Sequence, residues 1–140
     1  MGIINKNISF SVESIDHIVL TVQNIDKTVY FYKNVLNMKL SFYTAKNDNT
    51  KRISFSFGTQ KINIHSVDKK HMPHAKNPTS GSTDICFLSN TSLNDWIDYL
   101  IRNEIEIEDG PVKRTGAKGE ILSIYIRDPD GNLIEISQEI

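Results

Sequence analysis

Two histidines and two carboxylates stand out because their types suit metal chemistry and their spacing repeats: His17, His65, Asp84 and Glu135. Asp84 follows His17 by 67 positions and Glu135 follows His65 by 70, equal to within a short insertion. Each lies in a run of alternating character, and successive strand residues point to opposite sides. Ile18, Leu20 and Val22 therefore oppose His17, Val19 and Thr21, and Ile62 and Ile64 oppose Asn63 and His65. Ile85 and Phe87 oppose Asp84, Cys86 and Leu88, and Ile134 and Ile136 oppose Leu133, Glu135 and Ser137. The apolar set of each run belongs against a helix, which leaves all four ligand-type side chains on helix-free faces. If the repeats pair by a pseudo-twofold, the four converge. Imidazole with carboxylate suits a divalent Zn, Ni, Fe or Mn ion, and two histidines with one carboxylate form the ligand set of non-haem iron oxygenases. Glu135 or Asp84 could also serve as a catalytic base.

A second set could touch a substrate. Lys113, Arg114 and Lys118 fall in a glycine-containing stretch that reads as a loop, with Arg114 the candidate for gripping a carboxylate or phosphate. Ser123 and Tyr125 oppose Leu122 and Ile124, which would line them along the pocket. His71 and His74 stand among prolines and read as a solvated loop, and Cys86 reads as a small buried hydrophobe.

The elements that must position these groups occur twice. Ile15–Val22 reads as a strand, Asn24 or Asp26 can cap a helix, and Ile25, Val29, Tyr32 and Leu36 form one apolar stripe. Three strands follow at Lys39–Thr44, Arg52–Phe57 and Lys61–Val67. After a Pro- and Gly-containing segment, Thr83–Leu88 is again a strand. Ser92 can cap a helix whose stripe is Leu93, Trp96, Ile97, Leu100 and Ile101. Three more strands are expected at Ile105–Glu108, Ile121–Arg127 and Asn132–Gln138, the last two joined by the turn Asp128-Pro129-Asp130-Gly131. The fold class is α+β: two βαβββ modules, residues 14–67 and 82–138, forming a curved mixed sheet around a central site with helices on the outer face. Residues 1–13 are an N-terminal extension, and 14–140 make one domain.

Composition narrows the function. A formal net charge of -1 gives no field for nucleic acid or an acidic membrane surface. No apolar run reaches the roughly 20 residues of a membrane span, and the N-terminus lacks the apolar core of a signal peptide. One cysteine, Cys86, rules out an intramolecular disulfide, which suits a reducing compartment. A cytoplasmic protein with a small-molecule partner is expected. No phosphate-cradling glycine loop and no Gly-x-Ser-x-Gly elbow is present.

Three segments carry a resemblance: Ile15-Asp16-His17-Ile18-Val19-Leu20-Thr21-Val22, Phe31-Tyr32-Lys33-Asn34-Val35-Leu36-Asn37-Met38, and Arg127-Asp128-Pro129-Asp130-Gly131-Asn132-Leu133-Ile134-Glu135-Ile136. With them the chain resembles the vicinal-oxygen-chelate superfamily of glyoxalases, extradiol dioxygenases and bleomycin-resistance proteins. The stretch from Gly110 to Gly119, with Ser123-Ile124-Tyr125, is similar to the glyoxalase-domain-containing protein 5 and bacterial virulence-associated group. The resemblance implies a divalent metal at His17, His65, Asp84 and Glu135, acting as a Lewis acid on a substrate with adjacent oxygens. The activity implied is that of a lyase or isomerase of lactoylglutathione-lyase type, or of a ring-cleaving dioxygenase. A non-catalytic drug-sequestering protein is the alternative. Two positions depart from the family: His65 stands where glyoxalase I enzymes commonly have Glu, and Asp84 where His is common. The resemblance also implies a homodimer. The modules could form one site within a chain or exchange between chains.

Overall fold

The computed structural model describes residues 9–140, so residues 1–8 of the expected extension lie outside it. Eight strands and two helical segments follow the duplicated order. In the first module β1 is His17–Val22, α1 is Ile25–Val29 and runs on into a π-helical stretch at Tyr30–Val35, β2 is Lys39–Thr44, β3 Lys51–Phe57 and β4 Gln60–Ser66. In the second, β5 is Asp84–Leu88, α2 Leu93–Arg102, β6 Asp109–Thr115, β7 Glu120–Arg127 and β8 Leu133–Glu139. The eight strands form two four-stranded mixed sheets, ordered β1-β4-β3-β2 and β5-β8-β7-β6, instead of one continuous sheet. In each the first strand lies at an edge and runs parallel to the last, and the remaining pairs are antiparallel.

Both helix starts are capped as their sequences require. Asn24 Oδ1 accepts from the Lys27 amide at 2.9 Å, and Ser92 Oγ accepts from the Asp95 amide at 3.2 Å. The stripe of the first helix is rotated from the expected one: Thr28, Phe31, Tyr32 and Val35 are buried, and Ile25 is exposed. A π-turn holds more residues than an α-turn, so it shifts every later side chain around the axis. In α2, Leu93 and Leu100 are buried, but Ile101 faces solvent.

The segment Ile105–Glu108 is not a strand, and the stretch expected as a loop around Arg114 is β6. Gly110 and Pro111 masked it. Both are tolerated because β6 is an edge strand with an irregular register between Asp109 and Val112. Gly110 has φ +98°, and a Cβ there would collide with the Ser123 carbonyl, so the strand can lie against β7 only with glycine at this place.

The helix-facing side chains of both sheets, including Leu20, Phe55 and Ile62 from one and Ile124, Ile134 and Ile136 from the other, belong to one core. Polar contacts lock the modules together. The Tyr32 hydroxyl donates to Asp128 Oδ2 at 2.7 Å, and the Tyr99 hydroxyl donates to the carbonyls of Asn34 and Val35. Burial, with Asp128 beside it, pushes the Tyr32 phenol far up, so it remains a donor. Because both helix-bearing faces meet in this core, the helix-free faces lie outside it, one per module.

Candidate functional site

The strand ladders fix what stands on each free face. In module 1, His17 pairs with Lys61, Val19 with Asn63 and Thr21 with His65. In module 2, Asp84 pairs with Leu133, Cys86 with Glu135 and Leu88 with Ser137. His17 and Asp84 are therefore equivalent, as expected, but the partner of Glu135 in the repeat is Asn63. His65 corresponds to Ser137, one row further on. Four residues of parallel register separate His17 from His65, roughly 13 Å at about 3.3 Å per residue, too far for two imidazoles to share one ion. The matching of His65 with Glu135 is thus corrected by two residues. The signal was in the sequence: Ile62-Asn63-Ile64 and Ile134-Glu135-Ile136 share an Ile-x-Ile frame.

Parity itself places the side chains well. Asp84 and Glu135 sit diagonally on adjacent strands, two residues out of register, and His17 and Asn63 repeat that geometry. Such diagonal neighbours lie about 7–8 Å apart, within reach of a common small ion. Among the described residues, however, no three side chains of His, Cys, Asp or Glu come close enough to hold a metal. His17 and Asn63 stand on one free face, and Asp84 and Glu135 on the other.

The donors fit a divalent cation in kind. His17 Nδ1 lies 2.8 Å from Asp16 Oδ1, a bond that orients the ring and leaves Nε2 free. Ser123 Oγ donates to Glu135 Oε2 at 2.6 Å, and Ser137 Oγ approaches the same oxygen at 3.3 Å, so Oε1 is the oxygen left to work. Ser123 is fully buried, which makes it a positioning group for Glu135 and not a wall of the pocket. The Asn63 Oδ1 is buried without a hydrogen-bond partner.

Along the Glu135 row stand Tyr125 on one side and Cys86 on the other. Cys86 is exposed on this face and touches Ser137 Oγ at 3.2 Å, so it is not the buried hydrophobe expected. Burial, opposed by the Ser137 hydrogen bond, raises its thiol above the usual range. Arg114 Nε donates to the Tyr125 hydroxyl at 2.9 Å, and its Nη2 lies 3.6 Å from Asp109 Oδ2. Burial raises the Tyr125 phenol more than the Arg114 bond lowers it, with Glu135 adding to the rise. The phenol oxygen accepts from Arg114, so its own proton is available to Glu135 or to a ligand. On the face of module 1, His71 is no free loop residue: its Nδ1 lies 3.5 Å from Asp48 Oδ2, and its ring packs edge-on to His65 at 5.1 Å.

Residues 14–136 match the profile of the Glyoxalase/Bleomycin resistance protein/Dioxygenase superfamily. The chain belongs to that superfamily. It is 46% identical to the virulence protein STM3117 of Salmonella typhimurium, over 97% of this chain and 91% of that one. The crystal structure of STM3117 superposes with a TM-score of 0.85 at 49% identity, covering 94% of this chain and all of the other. The glyoxalase domain-containing protein RDO1 of Mycosarcoma maydis is 45% identical over 91% of this chain and 69% of its own length. More distant is the metallothiol transferase FosB of Staphylococcus saprophyticus, 26% identical over 89% of this chain and 76% of its own. Among the described residues no helix is long and apolar enough to cross a membrane.

Proposed function

We propose that this superfamily member is a homodimeric, metal-dependent enzyme acting in the cytoplasm on a small molecule with adjacent oxygens. His17 of one chain faces Asp84 and Glu135 of the other across the interface. One observation carries the reading: the two edge strands, β1 and β5, bear His17 and Asp84, yet within a chain the two half-sets of ligands lie on separate faces. Two equal chains related by a twofold axis complete two such sites. The exposed Leu88 on β5 suits coverage by a second copy. The likeness to a protein named metallothiol transferase supports the metal.

When bound, the divalent ion supplies Lewis-acid stabilisation of charge developing on a substrate oxygen. The chain's own groups do the rest. Glu135 Oε1 accepts a proton from the substrate while Ser123 keeps Oε2 occupied and the carboxylate aimed. Tyr125 holds its proton and can donate it to a substrate oxygen, and Arg114 fixes the phenol and offers its remaining N–H groups to a polar substrate end. Asp84 stands beside Glu135 as a ligand or as an alternative base. In this reading His65 is not a ligand of that ion.

The test is metal content of the purified protein by elemental analysis, followed by titration of the stripped protein with Zn, Ni, Fe(II) and Mn. One tightly held ion per chain, lost in His17→Ala with the fold intact, is the expected outcome. A protein that takes up none of these ions but binds a flat aromatic drug would put sequestration in place of catalysis.

A further inference from the structure

The segment 67–83 between the modules is largely exposed on its outer side but lies against module 1. It folds back over the free face of module 1 and roofs a cavity of about 170 Å³ above β1 and β4. Val19, Thr21 and His65 form the floor, and Asn77, Thr79 and Ser82 are among the residues of the roof. The roof is anchored at both ends. His71 reaches Asp48 on the β2–β3 turn, and Gln23 Nε2 donates to Ser80 Oγ at 2.9 Å. Asp48 is held in turn by Arg52 Nη2 at 2.7 Å.

His65 is the unusual member. Its relative exposure is 6%, and its Nδ1 is wholly covered with no hydrogen-bond partner. That nitrogen is closed to the cavity as well, so it is the rest of the ring that stands on the floor. The floor and roof present hydroxyls, an amide and imidazoles, which both donate and accept, together with Val19 and two prolines. No Asp, Glu, Lys or Arg lines the cavity. A charged ligand would find no carboxylate, lysine or arginine in this lining, whereas an uncharged polar group would find complementary partners. The volume equals the liquid share of about six waters at about 30 Å³ each, enough for a fragment of a few heavy atoms.

We infer that this roofed cavity is a subsite for the uncharged, hydroxyl- or carbonyl-bearing end of the substrate, with His65 and the roof hydroxyls as its hydrogen-bond partners. Its Thr21–His65 row lies two rows along the strands from His17 and Lys61, with Val19 between them. A molecule engaged beside His17 could thus extend its far end under the roof. The inference rests on the proposal that this free face is the substrate surface, and it narrows the substrate to one with a small neutral polar tail.

The test is a titration of the intact, full-length protein followed through its histidine ring resonances by NMR. Glycerol and acetamide serve as neutral probes, and acetate and inorganic phosphate as charged ones. Saturable shifts at His65 with a neutral probe, weakened at least about tenfold in Asn77→Ala and in Ser82→Ala and unchanged in His17→Ala, are expected. Both roof substitutions are on the surface segment and leave the core untouched. They should also leave the metal content as it was, so failure of the subsite and failure of the metal reading are separable. Saturation by acetate or phosphate but by neither neutral probe would overturn the assignment of ligand class. No saturable shift with any of the four would overturn the subsite.

Discussion

The two free faces share a backbone plan and differ in almost every side chain that matters. On module 1 the rows read Lys61–His17, Asn63–Val19 and His65–Thr21, and the segment 67–83 covers part of them. On module 2 the rows read Leu133–Asp84, Glu135–Cys86 and Ser137–Leu88, with Ser123 and Tyr125 alongside. Duplication has kept the ladder and divided the chemistry. Imidazole and a neutral amide stand on one face, and two carboxylates, Glu135 held by serine hydroxyls, stand on the other. Neither face alone offers a cation the mixed ligand set that suits a transition metal. The asymmetry is also one of packing: in module 2 a buried serine holds a carboxylate, and in module 1 the segment 67–83 borders a small cavity.

That contrast can be broken most sharply at Glu135. Glu135→Ala should lower metal affinity more than about 100-fold, above the 10–100-fold typical of a residue that only orients a ligand, while His65→Gln leaves it unchanged. Calorimetric titration of both variants checks the pair, and equal losses would return His65 to the ligand set. Ser123→Ala should have a smaller effect, about tenfold in metal affinity. The loss should be restored by Ser123→Thr if the cavity admits the methyl, because the hydroxyl to Glu135 is what counts.

The smallest expected effect concerns pH. Burial, then the neighbouring His71, Arg52 and His74, lowers the His65 pKa below its ordinary value near 6.5. The unfolded chain therefore binds a proton at this site more readily than the folded one. Its contribution to stability is present above about pH 6.5 and declines as pH falls through that value towards the lower folded pKa. Urea unfolding between pH 7.5 and 5 should show a shallower decline for His65→Gln than for the parent. An unaltered slope would mean that His65 is not held neutral on its face.

Strand parity made both faces legible in the sequence: every residue expected on a helix-free face of β1, β4, β5 and β8 is there. The superfamily, the α+β duplication and both helix caps were readable for the same reason, since they depend on local patterns. Register was not. Parity repeats every two residues, so a slip of two leaves each side chain on its correct face but in the wrong row. That slip moved His65 into the place of Asn63. The strand β6 was hidden because Gly110 and Pro111 signal a loop unless the strand is known to be an edge. Nor could the sequence reveal how the modules pack, because the helix-facing residues of each module do not say which surface they will meet. The bridge from Tyr32 to Asp128 spans 96 positions and joins residues that read separately as a helix stripe and a turn.

The central claim is that one ion is held by both chains of a dimer, and mixing two inactive variants tests it most directly. His17→Ala and Glu135→Ala chains, each stripped of metal, are combined, allowed to exchange, and the mixed dimers isolated by differential tags for measurement of bound metal. In a mixed dimer one site lacks both residues and the other is intact. The account predicts no tightly bound metal in either parent and one ion per mixed dimer. Mixed dimers as empty as their parents, or a wild-type chain that binds a full ion as a monomer, would contradict it.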